Sequence, residues 1–392
     1  MLTTIVYANL HHHCLLQWVG KVRNSNKVIC YNIDFVSSVL SGSYQSLTVD
    51  QIGALEQQGN RSSNWAGVRL MCPVGVSGDS SLDKIHGCSF NGNIIVGLFV
   101  KNNSLQGGIS VQSGLYNSNF SGNCVLSDNC YVWNTAMLVN VYVGRNSCIV
   151  GCGNLICEGH TSFGTQRSIS IGAEVASTTM RRELVLNVKY SYSDVVGCIF
   201  HRAPDKIDEM EIPKDDLPGV PIGMHSSHSS GPAVKTKRIK YNKHDGFVRY
   251  DMTIVCDDVE VTRCTLVRNA FIGSYCVLRD SAMNNSTSFA HCEVSSSHLT
   301  DSVIHQSCKV LSGAQLSGVL MFPHSSASSN AKITDTVLGP DSSVSIGECK
   351  NSLLGPHVGF HHQALLIATT WVLGRGNISY GAMIGSLLFF HN

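Results

Sequence analysis

Charge is scarce in this chain of 392 residues: Asp, Glu, Lys and Arg together make up 14%, and the formal balance is +1. So small a balance gives no broad basic face, which argues against a nucleic-acid partner. Proline is scarce as well, with 9 residues. The longest apolar runs fall far short of the roughly 20 residues that a membrane span needs, so no membrane partner is expected. The stretch Met1 to Val19 is broken by His11, His12 and His13. It lacks the basic start, apolar core and small-residue cleavage site of a secretory signal. The three histidines could hold a metal loosely, but a solvated surface run is the simpler reading. No Cys-x-x-Cys pair occurs among the 16 cysteines. Cys148, Cys276 and Cys308 stand where small apolar residues would serve, so they read as buried thiols in a reducing compartment. The expected location is cytoplasmic, and the sequons at Asn60, Asn119 and Asn285 then carry no glycan.

Glycine is plentiful at 36 residues, and hydrophobic residues make up 43%. Serine and asparagine are frequent. This mixture favours short strands joined by tight turns, because Gly and Asn tolerate positive φ and Ser satisfies turn backbone. Residues 1–46 show no clear repeat. A short helix should follow, with Thr48 as N-cap and Gln51 closing a capping box. Val49, Ile52 and Leu55 form its apolar stripe, and Gly59 is its C′ residue. Residues 47–81, which include Trp65 and a Pro-Gly boundary near Pro73 and Gly75, read as this helix and a cap region.

From about Leu82 a six-residue stroke recurs: an aliphatic residue, often Gly, two free positions, then a small residue. It shows in Val143-Gly-Arg-Asn-Ser147 followed by Ile149-Val-Gly-Cys-Gly153, and in Ile272-Gly-Ser-Tyr-Cys276 followed by Leu278. Ile304, Val310 and Leu316 are followed four positions later by Cys308, Ala314 and Leu320. Three strokes make one triangular coil with the aliphatic residues inside, and coils stack at the strand spacing of roughly 4.8 Å. No coil buries its own face, so only the stack is stable. The expected fold is all-β: a left-handed parallel β-helix, with residues 82–202 and 247–386 as its two parts. An irregular β-sandwich and a right-handed β-helix are the alternatives. Between them, residues 203–246 gather five prolines, an acidic run (Asp205 to Asp216) and a basic run (Lys235 to Lys243). Proline and charge oppose strand stacking, so this stretch reads as an inserted loop.

Several segments resemble one family. They are Leu47 to Gly59 with Asn64-Trp65, Gly114-Leu-Tyr-Asn-Ser118, Thr161-Ser-Phe-Gly164, and above all Leu353 to Ala368 continuing through Trp371 and Gly374 to Ala382. They resemble the DUF4954 family within the hexapeptide-repeat, LpxA-like superfamily, over roughly residues 46–386. The resemblance implies a left-handed β-helix and no particular reaction. Members of the wider superfamily include acyltransferases acting on sugar nucleotides, β-helical domains of nucleotidyltransferases and a zinc carbonic anhydrase branch. Many are trimers with sites between subunits. A homotrimer, a sugar or nucleotide-sugar ligand and acyl-CoA as co-substrate are therefore the implied partners. After Gly381 to Ser386 this chain departs from the family pattern and runs into Leu387-Leu-Phe-Phe-His-Asn392.

The histidine-rich turn is the expected site. His361 and His362 are the candidate catalytic bases, since histidine takes a proton near neutral pH. Arg375 could hold a phosphate bidentately. Asn377 stands close to it in sequence, and Tyr380 or Trp371 could stack on a base or sugar ring. The bland alternative makes one histidine a buried, hydrogen-bonded corner residue and leaves the other exposed. His357 and His362 are five apart, a zinc-like spacing, but a catalytic zinc needs a third ligand and no register supplies His324; no metal is expected. No Walker loop, nucleophile elbow or Rossmann fingerprint is present. Function is thus left between a transferase-like β-helix with a histidine base and a noncatalytic β-helical scaffold.

Overall fold

The computed structural model describes residues 44–71, 78–105, 107–172, 182–188, 190–200, 209–212, 237–240 and 251–385. Parallel strands stack into a β-solenoid. One of its faces is a 12-stranded sheet that sets the number of coils, and the other two are joined in a 22-stranded sheet because several strands bend through both. In chain order within a coil, face 1 holds strands such as Val277–Arg279, face 2 Ala282–Asn284 and face 3 Thr287–Ser288. Long strands such as Lys332–Leu338 turn the corner from face 2 to face 3 without a break.

The interior follows from strict register. On face 1, Val261 lies beside Leu278, then Val294, Val310, Ala327, Val344 and Phe360, and all are fully buried. Identical positions therefore stack every 16 or 17 residues here. The strokes vary: Leu278 to the inward Met283 is five residues, Val310 to the inward Leu316 is six. The corners are turned in the left-handed backbone region by Asn, Asp, Ser and His more than by Gly, as at Asn269 (φ 51°), Asp280 (φ 49°) and His291 (φ 62°). Short polar side chains tolerate that conformation best after glycine.

Among the described residues there are three α-helices, α1 (Val49–Gln57), α2 (Asp79–Leu82) and α3 (Tyr192–Phe200), and a 3-10 turn at Trp65–Gly67. Helix α1 closes the first coil. Thr48 and Gln51 form the expected capping box, and Gly59 follows the C-cap with φ 80°. Leu55 is buried at 1% exposure, but Val49 is 85% exposed, so the apolar stripe is shorter than its spacing predicts. Asn60 ties α1 to the second coil by donating to the carbonyls of Leu55 and Ile85 and accepting from the Cys88 amide. Trp65 donates to Glu56 and packs on Phe90. The Pro73–Gly75 boundary and the terminal stretch from Leu387 lie outside the described residues.

The ladder leaves the solenoid earlier than the proline-rich composition suggests. Strand Cys148–Val150 pairs directly with Glu260–Thr262, and Asn154–Ile156 with Leu266–Arg268. Coil formation thus stops at Ile156 and resumes at Thr253, whose hydroxyl donates to the Ile156 carbonyl. Within the excursion, residues 158–172 run as a strap along one corner column of successive coils. Asn269 accepts from the Glu158 amide and Asn285 from the Gly164 amide. Arg167 bridges Asp301 (3.3 Å) and Asp335 (3.5 Å). Asn351 donates to the Ser170 carbonyl and accepts, through its own carbonyl, from the Gly172 amide. Between the two aspartates the column holds Gly318, where a Cβ would meet Asp335 Oδ1 at 2.4 Å and Ile169 Cγ2 at 3.1 Å. The missing side chain is what lets the strap lie close.

The strap and α3 give face 3 a second buried surface. Its outward column, Phe271, Thr287, Val303, Leu320, Val337 and Leu353, is buried throughout. Phe163 packs on Phe271 and its carbonyl accepts from Thr287. Tyr192 of α3 meets Phe322 edge-on and donates to the Val372 carbonyl. Burial on both sides is the usual condition of parallel sheets. The charged insertion is described at two strands: Glu209–Ile212 pairs antiparallel with Lys237–Lys240, setting Glu209 opposite Lys240 and Glu211 opposite Arg238. Among the described residues, faces 1 and 2 present their outward columns without such a cover.

The described cysteines are free thiols, all buried except the half-buried Cys198. Burial pushes Cys308 up to about 11 and Cys349 up to about 12, so both stay protonated. They act as small apolar rungs of the core.

Candidate functional site

The histidine-rich turn lies on the last coils. Strand Val358–Phe360 belongs to face 1 and buries Val358 and Phe360 inward. His361 continues that strand and points outward, two residues after the outward Gly359. Its Nε2 lies 3.0 Å from the hydroxyl of Ser343 on the preceding coil. Gly359 sits between Ser343 and Asn377 in the ladder and leaves the surface flat. A Cβ at Gly359 would be 3.1 Å from Asn377 Oδ1 and 3.5 Å from His361 Nε2, so the three polar groups surround one bare backbone position. His361 titrates below its ordinary value because of partial burial, and second because of the nearby His362 ring. The imidazole is therefore neutral at neutral pH and can accept a proton.

The other expected residues separate into three groups. His362 turns the corner after face 1 with φ 66°, its ring 5.8 Å from that of His361. Tyr380 stands one coil further on at this edge and donates to Gln363. His357 and Arg375 turn the opposite corner, with φ 56° and 54°, and His357 Nδ1 lies 3.8 Å from Asp341. Four strand residues separate the Arg375 position from the column of His361, roughly 13 Å along the face. Trp371 is in neither group. It shares an inward column with Leu354, and its ring lies over Gly376, where a Cβ would be 2.2 Å away. It fills the prism at the end of the described coils. The structure thus brings His361, Asn377 and, at the edge, His362 together, while Arg375 and Trp371 lie elsewhere.

Ser343 was not among the expected site residues. The signal that could find it is the coil length: Ser343 pairs with Gly359, 16 residues on, and His361 stands two strand positions further. For a metal, His357 and His362 sit at opposite corners of the strand. Among the described residues no group of three or more His, Cys, Asp or Glu side chains is arranged to hold an ion. No described helix is long and apolar enough to cross a membrane.

No curated protein matches the chain. A family model described as a domain of unknown function, DUF4954, matches residues 44–210. The match takes in α1, Trp65, the Gly114 to Ser118 strand and the Thr161 to Gly164 start of the strap, and it ends before the histidine-rich turn. Over residues 44–210 the chain is similar to the DUF4954 family.

Proposed function

We propose that this β-solenoid is a left-handed, hexapeptide-type protein of the LpxA-like kind that transfers an acyl group from acyl-CoA to a hydroxyl or amine of a sugar or nucleotide-sugar. His361 serves as the general base. One observation carries the reading: a neutral imidazole on an exposed face is already hydrogen-bonded to a hydroxyl, 3.0 Å away at Ser343. A substrate hydroxyl in the place of the Ser343 Oγ would meet the same nitrogen at the distance that proton abstraction needs. Asn377, beside His361, would hold a substrate polar group. His362 and Tyr380 form the rim, and Arg375 at the far corner suits the phosphate of an extended nucleotide-sugar. The face is open, so a second copy in a homotrimer would supply the opposite wall. Thirteen free cysteines among the described residues suit a reducing cytoplasm.

The test is acyl transfer from acyl-CoA to a panel of nucleotide-sugars, with thermal shift as the binding readout. His361→Asn should lower the transfer rate by about a hundredfold or more at an unchanged melting temperature. His362→Asn alone should keep most of it. A second reading, a noncatalytic scaffold, is favoured by the backbone: His357 and Arg375 occupy the positive-φ corner that Asp341, His324 and Ser307 occupy on other coils, and His362 the opposite corner, held elsewhere by Ile346 and Ser329. It becomes the better account if no donor or acceptor shifts the melting temperature and no transfer is found.

A further inference from the structure

Face 1 carries a second surface at its other end. On three successive coils its outward positions are His86, then Gly114 and Tyr116, then Tyr131 and Trp133. The rings of His86, Tyr116 and Tyr131 are in contact, and Trp133 takes the next position in the column of Tyr116. His86 and Tyr116 are 5.9 Å apart with an angle of 11° between their planes, and Tyr116 and Tyr131 are 5.8 Å apart. Tyr116 lies down over its own strand: a Cβ at Gly114 would be 2.8 Å from the Tyr116 hydroxyl. Glycine at that position is therefore what allows the ring to lie flat. Trp133 is 42% exposed, His86 is exposed, and the two tyrosines are half-buried. The next coil adds Cys148 and Val150 to the same columns. Among the described residues the one full charge at an outward face-1 position of these coils is Lys84, beside Gly114, and its ammonium donates to the Phe99 carbonyl.

We infer that this patch is a binding platform for a neutral glycan chain. Aromatic rings offer a negative π face, and the C–H bonds on one side of a pyranose ring are its natural partner. Rings on successive coils stand 5.9 and 5.8 Å apart, close to the length of one sugar unit, so a linear chain can meet them in turn. The low charge selects among ligands. A nucleic acid or an anionic polysaccharide requires several cations along the track, and the single ammonium here, on Lys84, is already held by the Phe99 carbonyl. The tyrosine hydroxyls and the Nε2–carbonyl contact of His86 with Asp83 give the patch a polar border that a hydroxyl-rich ligand can use. The platform is about eight coils from His361 and does not depend on the transferase reading.

Affinity electrophoresis of the full chain in gels containing uncharged polysaccharides (xylan, mannan, laminarin, dextran, hydroxyethylcellulose) tests this, with heparin as the charged control. At least one neutral polymer should retard the protein, equally at low and high salt. Tyr116→Ala and Trp133→Ala should each weaken retardation by about tenfold at unchanged circular dichroism, since both rings lie on the surface. His361→Asn should leave retardation as it is. Three results would overturn the platform: no retardation by any neutral polymer, stronger retardation by heparin, or a change in sedimentation of the Trp133→Ala variant, which would make the patch a contact between copies of the chain.

Discussion

His305 shows how one position is chosen by its stack. It occupies the place held by Gly273, Phe289, Phe322 and Gly339 on neighbouring coils, just after face 3. Its ring lies 5.1 Å from that of Phe289 and 5.0 Å from that of Phe322. Nε2 is closed off from solvent with no hydrogen-bond partner, and burial lowers the titration to about 4 from an ordinary 6.5. The unfolded chain takes up this proton first. The stability owed to the neutral ring is therefore complete above pH 6.5 and is lost as pH falls from 6.5 toward 4. The loss reaches about 3 kcal/mol. His305→Phe should flatten that part of the stability profile, as read from melting temperatures at pH 7.5 and 4.5. If the variant and the parent fall in parallel, His305 is not the group responsible. The sequence shows this histidine but not its burial, because Phe289 and Phe322 are 16 and 17 residues away. Ser343 is hidden beside His361 in the same way. His357 and His362 turn exposed corners, while the hydrogen-bonded His361 lies on the strand itself.

At the scale of elements, local signals hold where neighbours in sequence decide the structure. The capping box at Thr48 and the turn at Gly59 are satisfied within α1 itself. The six-residue stroke is visible but broken, because strokes of five and six are mixed and corners accept Asn, Asp, Ser and His as well as Gly. The strap has no such signature. Arg167, Asp301, Gly318 and Asp335 meet only because the coils set them in one column. Gly318→Ala should destabilise by about 1–3 kcal/mol, the range for forcing a group into a filled space, with added strain from its φ of 65°. It should also speed proteolysis between residues 157 and 200. Arg167→Ala should cost less, about 1 kcal/mol or below, because both ion pairs are part-exposed. Denaturant midpoints and digestion rates of the two variants provide the check. Equal costs would mean that the ion pairs, and not the close approach, hold the strap.

For the molecule as a whole, contacts run from each coil to the next, so stability adds up along one axis. The excursion is the exception, since it touches several coils at once. Its removal is unusually well defined. Val139 and Val141 turn the equivalent corner of the preceding coil with Asn140 alone, and Ile156 and Thr253 sit in the same registers as those two valines. Replacing residues 157–252 by a single Asn should keep the parallel ladder, seen as unchanged β-type circular dichroism. The product should also bind a hydrophobic dye and self-associate, because Phe271, Val303, Leu320, Val337 and Leu353 become exposed. A soluble, non-associating product without dye binding would show that face 3 needs no cover.

By itself the sequence determined the coil. An aliphatic residue at each stroke, small residues beside it and turn-forming residues at the corners suffice to specify a stack of parallel strands, since each feature acts between close neighbours. It also determined the helix that closes the first coil. Only the tertiary structure decided that the chain leaves the ladder at Ile156, that face 3 is buried on both sides, and that His361 meets Ser343 while Arg375 stands at the far corner. These depend on which residues share a column. Column membership accumulates from every stroke length before it, so one five-residue stroke in place of six shifts every later partner.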